Sequence, residues 1–392
     1  MLGLSCHRKQ LSWIRPTIFR ESLPAVGHSQ LHTVSDPSIR LDIHDVAFGG
    51  AGVGRFDGKI VFVPFTIDGE RVEAKVVEQR KNFDRAKLGQ VLIASPQRVD
   101  PICPYFGRCG GCDYQHVAYS HQLEIKRRQV AQLLVKIGRI TDVEVLPTFP
   151  STAPYAFRNR ITVHATQGRI GFFAKNSRDV VDVERCAIAI PAVNDALAEL
   201  RANGLADGKH RTLRAAGVPR TFTQTNDFIA SALLDFVARR VVGQVLIDAY
   251  CGSGFFGHAL ADRVQRVVGI DWNEPPINAA RELAGSNETY ICGDVGETIE
   301  SILVNEQPHT VLLDPSADGV DDRVTDALGI HPSTRLIYVS CNPATLARDL
   351  ARLRSTYEIV AIQPFDMFPQ TAEIEAVAVL DRKPLTGSRE TG

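Results

Sequence analysis

Cys341 stands within Leu336-Ile-Tyr-Val-Ser-Cys-Asn-Pro-Ala-Thr-Leu-Ala-Arg-Asp349, where an apolar run meets a polar break and helical spacing resumes at Thr345. This predicts a thiol at the carboxyl end of a buried strand, just before a helix, where open α/β sheets bind ligands. The helix dipole and free N–H groups there favour a thiolate, so Cys341 reads as a covalent nucleophile. An inert buried cysteine is the competing reading. Four acids, Asp248, Asp271, Asp294 and Asp314, close successive apolar runs upstream. The turn after the first run carries Gly252, Gly254 and Gly257, and Asp271 follows near twenty residues on. Glycines admit close backbone approach and the acid can bond both ribose hydroxyls, so the pattern fits a ribose-bearing ligand. A G-x-G-x-x-G match alone does not exclude a dinucleotide. With a candidate nucleophile beside it, a mononucleoside such as S-adenosylmethionine suits the site better than NAD.

A second chemical cluster is Cys103-Pro-Tyr-Phe-Gly-Arg-Cys109-Gly-Gly-Cys112. Three thiols with glycines that let the backbone wrap closely read as a metal or iron–sulfur site, and four thiolates suit structural zinc equally. The fourth ligand must come from afar, and Cys186 is the candidate.

The elements that must position these groups fall into three parts. Ile39–Ile43, Lys59–Pro64, Arg71–Glu78 and Gly89–Ala94 read as strands of a small β-barrel, with Gly49–Gly54 as a glycine turn. Arg80, Lys81, Arg85 and Lys87, with Phe83 among them, give that barrel a basic edge that suits RNA or is merely a charged, solvated hairpin. Tyr119–Ile137 reads as an amphipathic helix. Strands at Ile161–Ala165, Arg169–Phe173 and Val180–Val183, a helix at Ala192–Ala202 and a polar link at Asn203–Arg211 follow. Arg158, Arg160, Arg169 and Arg178 could line an RNA-facing surface or a merely solvated one. From about residue 221, strand and helix alternate in a doubly wound α/β pattern, with one of the last two strands antiparallel.

At 392 residues the chain has room for several cores. A net charge of −1 argues against a protein that coats nucleic acid wholesale, but not against a local basic groove. The eight cysteines are too unevenly spread for a disulfide scaffold, and a reducing compartment is expected. No apolar run reaches the length of a membrane span. Arg8, Lys9, Arg15 and Arg20 face one acid, Glu21, so residues 1–38 are expected to be a disordered or organelle-targeting segment. The expected location is cytoplasmic, or organellar if that segment is a targeting one.

Ser340-Cys-Asn-Pro-Ala-Thr-Leu-Ala-Arg-Asp349, Phe368-Pro-Gln-Thr-Ala-Glu-Ile-Glu375, Phe222-Thr-Gln224-Thr-Asn226 and the cysteine set together resemble the RNA uridine-5-methyltransferases. The resemblance covers residues 39–385 and is strongest toward members that carry an iron–sulfur cluster and a TRAM barrel and modify 23S ribosomal RNA. It implies an OB-like TRAM barrel over 39–96 and an α+β central domain over 97–205 whose helix packs on the catalytic domain. A class I, Rossmann-like methyltransferase domain would occupy 206–392. It implies Cys341 as nucleophile and Glu375 as base, and Gln224, Tyr250, Asp271, Asp294 and Asp314 as S-adenosylmethionine contacts. Phe255 joins them, at a turn position where Asn is common. Cys103, Cys109, Cys112 and Cys186 would hold a [4Fe-4S] cluster. The implied partner is ribosomal RNA, with transfer RNA or a non-catalytic RNA-binding role as alternatives, and the implied state is a monomer. The chain departs from the family at Asp314-Pro-Ser-Ala-Asp-Gly319, where Asp-Pro-Pro-Arg-x-Gly is usual, and at Gln370 and Glu373, where histidines are usual.

Overall fold

The computed structural model describes residues 38–215 and 224–384. The segment before residue 38, and Phe222 and Thr223 of the quoted motif, lie outside them. Alternating apolar residues build β1 (Ser38–Val46), β2 (Ala51–Phe56), β3 (Lys59–Pro64), β4 (Arg71–Gln79) and β5 (Phe83–Ile93), which close as a barrel in the order β1-β2-β3-β5-β4. Leu41, Ile43, Val61, Val63 and Val72 fill its interior. The glycine run expected as a turn is in large part strand β2. A side chain at Gly52 would collide with Thr66 and Ile43, and one at Gly54 with Leu41, so glycine is what lets this strand close the barrel. The last strand starts at Phe83 rather than Gly89.

Helix α1 (Tyr119–Leu133) continues as one π-helical turn, Leu134–Gly138, and stops at Arg139 in a left-handed conformation. Val130 and Leu134 join Leu346, Leu350 and Ile362 in one apolar cluster, so α1 lies on the catalytic domain. The central sheet holds β6 (Arg160–Thr166), β7 (Arg169–Phe173), β8 (Val180–Asp182) and β9 (His210–Arg214) in the antiparallel order β8-β7-β6-β9. Strand β9 begins at the end of the polar link expected over Asn203–Arg211 and runs beyond it, through residues that carried no assignment. Only Leu213 of its five residues is buried, so no apolar run announces it. Helix α2 (Pro191–Asn203) sets Val193 and Leu197 against Ile161 and Val163 on one face. The other face carries the register pairs Arg160/Arg214, Thr162/Thr212 and His164/His210.

After α3 (Asp227–Ala238) come β10 (Val245–Ala249), α4 (Phe255–Leu260), β11 (Arg266–Asp271), α5 (Glu274–Leu283) and β12 (Glu288–Cys292). Then follow α6 (Val295–Glu306), β13 (Thr310–Leu313), α7 (Asp322–Ile330), β14 (Arg335–Ser340), α8 (Pro343–Leu353), β15 (Tyr357–Phe365) and β16 (Glu375–Arg382). The sheet order is β12-β11-β10-β13-β14-β16-β15. Strands β10 to β14 run parallel and β16 is antiparallel to both neighbours. Their near-continuous apolar runs are buried on both faces, as a helix-covered parallel sheet requires. The strand order reverses between β10 and β13, which opens a crevice outside the carboxyl ends of the strands.

Candidate active site

The last register pair of β14 and β16 is Ser340 with Ala376, so the next step brings Cys341 beside Glu375. Asn342 then turns the chain into α8: its Oδ1 accepts from the Ala344 N–H at 3.1 Å while its Nδ2 donates to the Ala317 carbonyl at 2.9 Å. Thr345 Oγ1 donates to that carbonyl too, at 3.1 Å. The loop after Asp314 is thereby tied to the nucleophile turn. Its departure from the family pattern is accommodated from α8, where Arg348 donates to the Asp318 carbonyl at 2.9 Å. Gly319 at φ 77° could hold no side chain without meeting Asp349 and Arg348. Asp349 in turn accepts from Tyr338 Oη at 2.8 Å and the Val320 N–H at 3.0 Å.

Electrostatically the nucleophile differs from expectation. Cys341 keeps an exposed side, yet the protein packed around its sulfur, with the carboxyl groups of Glu375, Asp314 and Glu373, pushes the thiol up to about 12. Burial, and then three nearby acids, outweigh one helix terminus. Glu375 is buried and, through burial and then Asp314 and Glu373, holds its proton well above the usual carboxylate range. A carboxylate so raised is a correspondingly stronger base once ionised.

The acids that end the strands converge, though not equally. Asp271 accepts from the Gly252 N–H at 3.0 Å and the Asn273 N–H at 2.8 Å, which fixes it across the glycine turn; burial raises its pKa. Burial and Asp271 push Asp314 up to about 7. Asp248, fully buried, is pushed up to about 8 by burial and then by Asp314 and Asp271. One Asp248 oxygen accepts from Gly257 N–H at 2.9 Å and the other has no partner among the described residues. A crevice so rich in acid suits a cationic ligand. Asp294 caps α6, accepting from the Glu297 N–H at 3.1 Å, and is half exposed with Arg323 3.5 Å away. Tyr250 turns the chain at φ 65°, and Phe255 opens α4, its ring edge-on to Phe256 at 4.9 Å. Gln224 is buried just before α3, its carbonyl accepting from Asn159 at 3.0 Å.

Cys103, Cys109, Cys112 and Cys186 do come together: all four are free thiols lining one cavity with Tyr105, Phe106 and Arg158. Burial pushes Cys109 up to about 11 and raises Cys112 and Cys186 as well. Among the described residues, no three His, Cys, Asp or Glu side chains stand close enough to hold a single metal ion. Arg158 therefore turns from the surface expected of it toward this cavity. Arg160 and Arg214 stay on the sheet face away from α2, both half-buried, and Arg160 is lowered by burial and then by its cationic neighbours Arg214 and Arg158. His164 stacks on Phe173 at 4.0 Å beside them. On the barrel, Arg85 lies 5.8 Å from the Phe83 ring centre, but Glu78 pairs with Arg80 at 2.6 Å and Arg85 at 3.4 Å, which dilutes the basic edge.

Sequence reading missed the strap that carries Glu375. Residues 366–374 are clamped by partners far away in the chain, foremost a fully buried pair between Lys126 Nζ and Asp366 Oδ1 at 2.6 Å. No local pattern connects residues this distant. The sole clue is a lysine at a position of α1 that packs inward.

The doubly wound sheet with acids at its switch point defines the class: a class I, Rossmann-like methyltransferase. Comparison with known proteins agrees. Residues 299–383 match the tRNA (Uracil-5-)-methyltransferase family and residues 38–88 the TRAM domain. An RNA methyltransferase of Bdellovibrio bacteriovorus is 31% identical over 373 residues, covering 87% of this chain and 94% of that protein. One from Listeria monocytogenes is 31% identical over 445 residues, covering 88% and 97%. The crystal structure of Pyrococcus abyssi tRNA (uracil-54, C5)-methyltransferase with S-adenosyl-L-homocysteine superposes with a TM-score of 0.69 at 26% identity, over 87% of this chain and 100% of that one. The chain belongs to the RNA uracil-5-methyltransferase family with an amino-terminal TRAM domain.

Proposed function

We propose that this enzyme methylates C5 of one uridine in structured RNA, with Cys341 as nucleophile and Glu375 as base, and takes the methyl from S-adenosylmethionine. The observation that carries the reading is the β14–β16 register that sets Cys341 beside a buried Glu375 at the sheet's switch point. The thiolate of Cys341 bonds to C6 of uracil, and the C5=C6 pair moves onto the C4 carbonyl oxygen as an enolate. S-Adenosylmethionine, when bound, would supply an electrophilic methyl on its sulfonium: the enolate's electron pair would form the C5–methyl bond as the methyl–sulfur bond breaks and S-adenosylhomocysteine leaves. Glu375 then removes the C5 proton, the C5=C6 bond reforms and the thiolate is expelled. Because the free thiol is raised, the cationic sulfonium would help ionise it, and the acids around Asp314 would hold that cation. Asp271 fits the ribose hydroxyls, Asp294 and Tyr250 the cofactor's other end, and Gln224 and Phe255 its flanks. The uridine must leave its stack to reach Cys341.

The four thiols around one cavity fit a [4Fe-4S] cluster. Four thiolates suit structural zinc as well, and it is the resemblance to the cluster-bearing members of the family that favours iron–sulfur. Its role here is structural. The cysteine set and barrel support a ribosomal RNA substrate; likeness to the Pyrococcus abyssi enzyme supports transfer RNA as the second reading.

The experiment combines labelled S-adenosylmethionine, anaerobically purified protein and cellular RNA carrying 5-fluorouridine. Fluorine cannot leave C5 as a proton, so a denaturation-resistant adduct at Cys341 is expected, lost in Cys341→Ala while RNA binding persists. Sequencing the trapped RNA decides between ribosomal and transfer RNA. No adduct despite bound cofactor would overturn the mechanism and favour a non-catalytic RNA-binding protein.

A further inference from the structure

Gln370 sits three residues after Met367 in the strap between β15 and β16, buried, with φ at 68°. A non-glycine residue holds that left-handed conformation only where its surroundings impose it. Two bodies do so here. From α1, Gln122 Nε2 donates to Gln370 Oε1 at 3.0 Å and the Gln370 N–H donates back to Gln122 Oε1 at 3.1 Å. From the cysteine loop, the N–H groups of Asp113 and Tyr114 both donate to the Gln370 carbonyl, each at 2.9 Å.

Asp113 follows Cys112 directly, and its carboxylate is divided between two partners. Oδ2 accepts from the Ala372 N–H at 3.1 Å, while Oδ1 is paired with Lys175. Barrel residue Gly50, at φ 87°, comes against the same point: a side chain there would press on the Cβ atoms of both Asp113 and Ala372. Barrel, cysteine loop and strap thus meet within a few ångströms, and Glu375 lies three residues beyond Ala372.

We propose that Asp113 is a positioning residue: it holds the Ala372 segment of the strap so that Glu375 faces the C5 proton. This rests on Glu375 being the base. The carboxylate of Asp113 is occupied by the Ala372 N–H and Lys175, so it would act through the strap's backbone. Lys175 orients its carboxylate, and the acceptor offered to Ala372 N–H does the positioning. The cysteine loop thereby acts on the proton-removal step through a hydrogen bond to protein backbone, without its own metal group entering the chemistry.

The test separates proton removal from the steps before it. Asp113→Ala, Asp113→Asn, Lys175→Met and Glu375→Gln are prepared anaerobically, and each is checked for metal content and S-adenosylmethionine binding. Single turnovers on ordinary uridine RNA are then followed for a denaturation-resistant, methylated adduct. In Asp113→Ala, kcat is expected to fall about tenfold to a hundredfold, as for a group misplaced by about 1 Å, with KM nearly unchanged. The adduct, absent in wild type, accumulates as it does in Glu375→Gln. On 5-fluorouridine RNA the same variant traps as well as wild type. Asp113→Asn keeps an acceptor for Ala372 and recovers most of kcat. Wild-type turnover in Asp113→Ala, or equal loss of trapping on both RNAs, overturns the proposal. Should Asp113→Ala prove insoluble, Lys175→Met decides, with a smaller build-up of adduct supporting the proposal and none overturning it. Failure of the underlying reading is distinct, because Glu375→Gln itself would then accumulate no adduct.

Discussion

Cys341 shows how a single group answers to its neighbours more than to its place in the chain. The helix amino terminus favours its thiolate, but burial and the acids Glu375, Asp314 and Glu373 oppose this and win, moving the thiol from 9.0 up to about 12. Alkylation requires the thiolate, so below pH 12 the free enzyme's Cys341 should react slowly, and faster as pH rises. Glu373, exposed where the family usually has histidine, contributes to that rise. Glu373→Gln removes a negative charge, lowers the thiol's pKa and should speed iodoacetamide alkylation at pH 8, by up to about tenfold for one pKa unit. Alkylation unchanged or slower in the variant, read by mass spectrometry of the Cys341 peptide, would contradict this account.

Among the elements, the strap 366–374 matters most, for it joins β15 to β16 and ends on Glu375. Lys126 anchors its start: the pair with Asp366 has no exposure on either side chain, and Lys126 also donates to the Phe368 carbonyl at 2.9 Å. Removing the lysine leaves a buried carboxylate uncompensated, which costs about 3–5 kcal/mol. Lys126→Met should therefore lower the melting temperature by on the order of 10 °C for a domain of this size, measured by calorimetry. Replacing both partners, as in Lys126→Met with Asp366→Leu, should recover much of the loss, since no lone charge remains. A double variant no more stable than the single one would mean that the strap's hydrogen bonds, rather than the pair, hold this region.

At the scale of the whole molecule, a nearly neutral chain must still hold a polyanion, so the charge has to be local. We propose the face of the central sheet away from α2 as such a place. Arg160 and Arg214 are half-buried register neighbours there, and the buried Arg214 Nε has no partner among the described residues. The stacked pair His164 and Phe173 stands close by. Arg160→Ala and Arg214→Ala should each weaken RNA binding and lower the salt slope of the affinity by about one, without altering cofactor binding. An unchanged slope in filter-binding titrations would move the RNA to the barrel.

The sequence alone determined what a local signal can carry. Buried parallel strands are long apolar runs, so the doubly wound sheet was legible. Cys341 lies where its strand ends, the glycine turn faces an acid a strand later, and clustered thiols announce themselves by spacing. Glycines that pack a barrel look like a turn, so β2 was hidden in Gly49–Gly54. A half-exposed strand has no apolar run, so β9, at the end of the expected link and beyond it, went unread. What only the tertiary structure decided is what depends on distant partners. The antiparallel pairing of β16 with β14 brings Glu375 to Cys341, Lys126 reaches Asp366, and Asp113 reaches Ala372. Hydrogen bonds and charges act over a few ångströms of space, however many residues of chain lie between them.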